Sequence, residues 1–208
     1  MPVRSARAGA VQNSVPRAAS SAATGLRRRG ARARREDGAV AVETAIISLF
    51  LVTIVAGIVD VSSLFATGYQ VTLAARSGAR VASSDPMSPT FAQNAGLQVA
   101  SALKGQDPTR VNEIWVYKAS TVDGSPVSGA SCASQCVRLT LDSNGDVVSS
   151  TGSWSGRSAC SGGTVDAVGV YVEYAYKAKT WLFDGHPVGS RTVMRLEPQP
   201  SSTTCVSS

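Results

Sequence analysis

Arg34-Arg35-Glu36-Asp37-Gly38-Ala39-Val40-Ala41-Val42-Glu43 joins two stretches of opposite character. Upstream, nine of the first 37 residues are arginine and two are acidic, so this leader carries a net charge of +7. Downstream, residues 44–59 (TAIISLFLVTIVAGIV) carry no charge, and apolar side chains continue past Asp60 through Val61, Leu64 and Phe65. As a helix, residues 39–66 would measure about 42 Å at ~1.5 Å per residue. That exceeds a hydrocarbon core of ~30 Å, leaving room for tilt or an overhang. An arginine cluster in front of a span is retained on the cytoplasmic side, which sends the rest of the chain outside. The stretch predicts one transmembrane helix with its N-terminus in the cytoplasm.

Gly38 is followed by four apolar residues and then Glu43, at the mouth of the apolar segment. A charged side chain at mid-membrane costs about 2.5–3.5 kcal/mol, and less near the interface. Glu43 therefore needs a partner. Cleavage after Gly38 would create one, because the new α-amino group of Ala39 is a cation that the Glu43 of a neighbouring subunit could neutralise. A glycine at the cut also lets a protease approach the backbone closely.

A basic leader, Gly at the cut, Glu five residues on and an apolar helix resemble the type IV prepilin signal. More narrowly, the chain resembles the TadE-like minor pilins (pseudopilins) of tight-adherence (Tad/Flp) pilus systems. Three further stretches carry the likeness: Gln70-Val71-Thr72-Leu73-Ala74-Ala75-Arg76-Ser77-Gly78-Ala79-Arg80, Val168-Gly169-Val170-Tyr171-Val172-Glu173-Tyr174, and Arg195-Leu196-Glu197-Pro198. The resemblance implies cleavage between Gly38 and Ala39 by a prepilin peptidase, and a role for Glu43 in subunit assembly. It also implies a structural function in the cell membrane or the pilus, with other Tad pilins and the assembly machinery as partners. Thr44 stands where the major Flp pilins usually have Tyr, and the chain is much longer than those pilins. Both features favour a minor component.

The net charge of +6 would suggest nucleic acid as a partner if it were spread over the chain. It is not: the 171 residues after the leader sum to −1. Basic clustering beside a span is explained by orientation and anionic headgroups, and no basic face with interleaved aromatics follows. The four cysteines, Cys132, Cys136, Cys160 and Cys205, all fall on the expected outer side, where disulfides persist. Their spacings of 4, 24 and 45 residues include no Cys-x-x-Cys pair. Structural disulfides are expected over free thiols or a metal site, with three pairings open.

Residues 1–30 hold almost no large apolar side chain and are expected to be disordered. At 38 residues the leader is long for a prepilin, so either it is extended or translation starts downstream of Met1. A secretory or twin-arginine signal is the rival reading, but the apolar run exceeds a usual h-region and no Ala-x-Ala site follows it.

Beyond the span, Val71, Ala74, Ala75, Gly78, Ala79 and Ala82 recur at helical spacing, with Arg76 and Arg80 one turn apart on another face. Such a stripe of small residues packs either on its own domain or on neighbouring helices. Asp60, Arg76, Gly78 and Arg80 are accordingly candidates for helix–helix contact. For Asp60 the alternative is a side chain that merely reaches the outer interface.

Pro86 ends this helix. Ser88-Pro89 opens a second, running to about Lys104 with Phe91, Ala95, Val99, Ala102 and Leu103 inward. Period-two patterning then predicts strands at 111–119, around Val137–Leu141, at Val147-Val148 after an Asn144-Gly145 turn, at 168–178 and at 191–197. Residues 121–130 and 149–164 read as Gly/Ser-rich loops.

The fold class expected is α+β: a long N-terminal transmembrane helix continuing into an extracytoplasmic domain with a second helix and a mainly antiparallel sheet. The divisions are 1–38 (leader), 39–66 (span), 67–198 (outer domain) and 199–208 (flexible tail). No catalytic constellation is present. The only histidine, His186, lies in a turn-like Asp-Gly-His-Pro, and no glycine cluster makes a phosphate loop. No cofactor or metal is expected. The alternative to a pilin is a permanently anchored surface domain that binds a ligand or an envelope component.

Overall fold

The computed structural model describes residues 30–129, 132–161, 163–180 and 184–199. The expectations for the first 29 residues, for the tail and for Cys205 lie outside the described residues. The chain divides into two compact units, 1–51 and 52–208. The described part of the first is helical throughout. The helix concerned, α1, spans Gly30–Ser84 and starts inside the basic leader, whose alanines and arginines are good helix formers. Its part from Gly38 onward is long and apolar enough to cross a membrane.

The second unit is built on a five-stranded sheet. The strands are β1 (Val111–Lys118), β2 (Cys136–Leu141), β3 (Val147–Ser153), β4 (Ala167–Ala175) and β5 (Pro187–Arg195). Their spatial order is β3-β2-β1-β4-β5 and every pairing is antiparallel. β1 is central, as its apolar character on both alternations requires. One sheet face, with Ile114, Val116, Leu139, Val168, Val170, Val172 and Tyr174, is fully buried under the two helices. Each such aliphatic side chain contributes about 1.5–3 kcal/mol on burial. On the other face Tyr117 is also buried, with Ala119, Ala167 and the first two cysteines. Its ring lies directly on Gly169, its register partner, where any side chain would collide with it.

Several boundaries differ from the sequence reading: β4 stops at Ala175, short of the expected 178, and β1 and β5 end one and two residues early. The second helix, α2, is Phe91–Ala102 with Thr90 as N-cap, and Ser88 accepts a bond from the Thr90 N–H instead of capping the helix itself. Ala102 is exposed, while Phe91, Ala95, Val99 and Leu103 are inward as expected. β3 runs through Ser153, into a stretch that reads as loop, because pairing with β2 overrides its weak Ser/Gly propensity. β5 starts at Pro187, four residues early, since β4 offers it a partner along its whole length.

The segment after β3 is tied down by Arg157. Its Nε donates to the Pro86 carbonyl (2.7 Å) and Nη2 to the Ser88 carbonyl (3.4 Å), while Nη1 bonds the Trp154 carbonyl. The guanidinium stacks 4.0 Å over the Phe91 ring, which meets Trp154 edge-on at 5.7 Å. Burial pushes the Arg157 pKa down from its ordinary value.

Close approach of α1 to α2 and the sheet depends on Gly78. A Cβ there would lie 2.5 Å from Val99 Cγ2, 3.2 Å from the Ala95 carbonyl oxygen and 3.5 Å from Val170 Cγ1. Overpacking of this kind costs about 1–3 kcal/mol. Gly78→Ala should therefore lower the thermal midpoint of the detergent-solubilised chain by roughly 2–10 °C. A midpoint unchanged by the added methyl would mean that the two helices are not held at this separation.

Candidate functional site

Gly38, Ala39 and Glu43 occupy successive turns of α1, all exposed, and nothing within 4 Å surrounds a Cβ built at Gly38. The Gly38–Ala39 bond is thus inside a helix, where a glycine is the weakest residue save proline. From Gly38 to Val59 no residue is buried. Two hydroxyls in this stretch turn inward on the helix itself: Thr44 donates to the Val40 carbonyl (2.8 Å) and Ser48 to that of Ala45 (2.9 Å). Such internal bonding is what a lipid environment demands of polar groups.

From Gly38 onward, Asp60 is the first residue of α1 to be fully buried. Its carboxylate accepts from the backbone N–H of Lys179 (2.9 Å) and of Thr180 (3.0 Å), and from the Thr180 hydroxyl. Tyr176 adds a further link, donating its hydroxyl to the Asp60 carbonyl (3.1 Å) and contacting the Ser63 hydroxyl. The start of the β4–β5 connection is thus fastened to one turn of the helix. Arg110 holds the other side of that connection, donating to the Tyr176 carbonyl and to Asp184, both at 3.0 Å. Those Arg110 contacts, together with the Ala178 N–H, hold the Asp184 carboxyl below the usual carboxylate range. The Asp184 contribution is accordingly present at neutral pH and lost as pH falls through that lowered value.

Asp60 thus has its partners within the chain. No local pattern links Tyr176, Lys179 and Thr180 to Asp60, since they lie 116 to 120 residues from it. The inward alternation of the β4 strand, continued to Tyr176, was the one available signal.

Of the other candidates, Gly78 faces α2 and the sheet as described, while Arg76 and Arg80 lie exposed on a different side of the same helix. Cys132 and Cys136 form a disulfide with Cα atoms 5.3 Å apart, settling one pairing the spacing left open. Both Cys132 and Gln135 take positive φ, 49° and 51°, so the bridge closes a turn that side chains rarely adopt. Cys160 is also disulfide-bonded. Among the described residues no cluster of His, Cys, Asp and Glu could hold a metal ion.

Removing the Asp60 carboxylate takes the acceptor from two part-buried N–H groups, which is costlier than the loss of a fully exposed bond. In hydrogen-exchange measurements on Asp60→Ala, the Lys179 and Thr180 amides should exchange at least tenfold faster. Asp60→Asn, which keeps one acceptor oxygen, should fall between. Unchanged exchange at both amides would dissociate the helix from this connection.

Comparison with known proteins adds one finding over the first part of this region. No curated protein and no solved structure matches the chain. A family model described as TadE-like protein matches residues 38–80, from the candidate cleavage glycine to the second exposed arginine. That match spans the apolar helix and its continuation into the domain, and over it the chain is similar to the TadE-like family.

Proposed function

We propose that the protein is a minor pilin (pseudopilin) of a Tad-type pilus, a structural component with no chemistry of its own. The observation that carries this reading is the TadE-like match opening at Gly38, together with Glu43 exposed on an unbroken apolar helix. In this reading the chain crosses the membrane once, with the basic leader in the cytoplasm and the sheet domain outside. The 22 residues from Gly38 to Val59, none of them buried, measure about 33 Å as a helix, close to a hydrocarbon core of ~30 Å. The lipid boundary is accordingly drawn near Asp60, six residues before the limit suggested by apolar character alone. The disulfide fits an oxidising outer compartment.

A prepilin peptidase removes the leader after Gly38, and the freed Ala39 amine meets the Glu43 carboxylate of another subunit during assembly. In a low-dielectric setting an unpaired ion costs several kcal/mol, and an opposite charge recovers much of it.

Two outcomes are expected. The mature protein in cells with an active prepilin peptidase should begin at Ala39 by N-terminal sequencing, and a bulky residue at Gly38 should make the full-length chain accumulate. Met1-containing protein as the sole wild-type species would refute processing. Glu43→Ala and Glu43→Gln should be cleaved and inserted at near-normal levels yet fail to co-purify with other pilins and give few pili. Normal piliation in both variants would reduce Glu43 to an interfacial side chain.

A further inference from the structure

Beyond Asp60, α1 has two sides. One is in the core through Val71, Ala74, Ala75, Gly78 and Ala82. The other carries Val61, Phe65, Tyr69, Leu73, Arg76 and Arg80, at steps of four, four, four, three and four. That spacing aligns them as one ridge. Phe65 is 75% exposed, Tyr69 64% and Leu73 42%. A lone exposed apolar side chain is ordinary, but a contiguous row of them marks an interaction surface. Lipid does not cover the outer part of this row. With the boundary near Asp60, Tyr69 and Leu73 stand roughly 13–20 Å further along the helix at ~1.5 Å per residue, beyond the hydrocarbon. Among the described residues Arg76 and Arg80 form no ion pair.

We infer that this ridge is the seat of a parallel helix from a different single-span membrane protein. That helix is apolar opposite Phe65, Tyr69 and Leu73, and carries carboxylates level with Arg76 and Arg80. Two anchored chains with the same orientation can only pair in parallel. A second copy in register would set Arg76 against Arg76 and Arg80 against Arg80, which like-charge repulsion disfavours. Nor can a modestly shifted copy offer a helical carboxylate. Between Glu43 and the end of α1 its only acid is Asp60, which is buried, and Asp85 lies past the last helical residue. A heterotypic partner with acids at two successive turns satisfies both the apolar row and the arginine pair, and the charges set register and partner choice. The inference rests on the single-span, outward orientation proposed above and is independent of cleavage.

The test places the photo-crosslinking residue p-benzoylphenylalanine at Tyr69 of the full chain in its native membrane, with the crosslinked peptide identified by mass spectrometry. The expected product joins Tyr69 to a helix of another chain just beyond that chain's apolar span, with carboxylates one to three turns further on. Arg76→Glu with Arg80→Glu should cut its yield at least tenfold, and Arg76→Lys with Arg80→Lys should retain most of it. Both arginines are exposed, so protease resistance should be the same in all three chains. A crosslink to a second copy, to lipid alone or to nothing overturns the inference, as does a yield indifferent to charge reversal. The N-terminus of the same preparation is read in parallel. An uncleaved chain that still gives the charge-dependent crosslink refutes the pilin reading and leaves the ridge assignment standing.

Discussion

A carboxylate with no accessible surface, at the end of a membrane-length apolar helix, has to find hydrogen-bond donors. Asp60 finds three, all on the connection that follows β4. The consequence reaches well beyond the side chain. Because two of the donors are backbone N–H groups, the path of the chain after Tyr176 is set by a residue that comes 116 positions earlier. The same turn of helix receives the Tyr176 hydroxyl, so the end of the core strand and the start of the buried helix face are joined at one point. From Gly38 to Val59 the helix is exposed or half-buried, and from Asp60 onward one helix face enters the core.

That face is made almost wholly of small residues, and size is what permits the packing. Ala74, Ala75, Ala79 and Ala82 leave no surface exposed, and Gly78 allows Val99 and the Ala95 carbonyl to approach the helix more closely than a methyl would tolerate. A larger side chain at Gly78 would push the helix away from α2. The larger apolar residues of this helix, Phe65, Tyr69 and Leu73, lie instead on its outer side. The division of labour gives the helix an inner surface that fits its own domain and an outer ridge available to another chain.

On the far side of the sheet the structure uses different means. Tyr117 lies across Gly169, Trp115 meets Tyr171 with ring centroids 5.1 Å apart, and Arg138 stacks over the Trp115 ring. Glu173 accepts the Tyr171 hydroxyl at 2.9 Å, and burial followed by that bond pushes the Tyr171 pKa up to about 12. The Cys132–Cys136 bridge fastens the chain where β2 begins, beside Tyr117. These cross-strand contacts stiffen a face that no helix covers.

Much of this was written in local patterns. The uncharged run from Thr44 to Val59 announces a span, because only a helix satisfies its own backbone in lipid. The period-two alternation of Val168, Val170, Val172, Tyr174 and Tyr176 identifies the strand face that is buried, and the small-residue stripe from Val71 to Ala82 identifies the helix face. Asn144-Gly145 marks the turn between β2 and β3. What only the tertiary structure decided depends on contacts between residues far apart in the chain. Spacing could not tell whether Asp60 meets solvent, a neighbouring helix or its own domain, because α2 and four of the five strands lie between it and its donors in the chain. It could not choose among the cysteine pairings, which depend on where β2 begins in space. Nor could it extend β3 into Ser149–Ser153, since serine and glycine carry no strand preference and only the β2 edge supplies the reason for pairing.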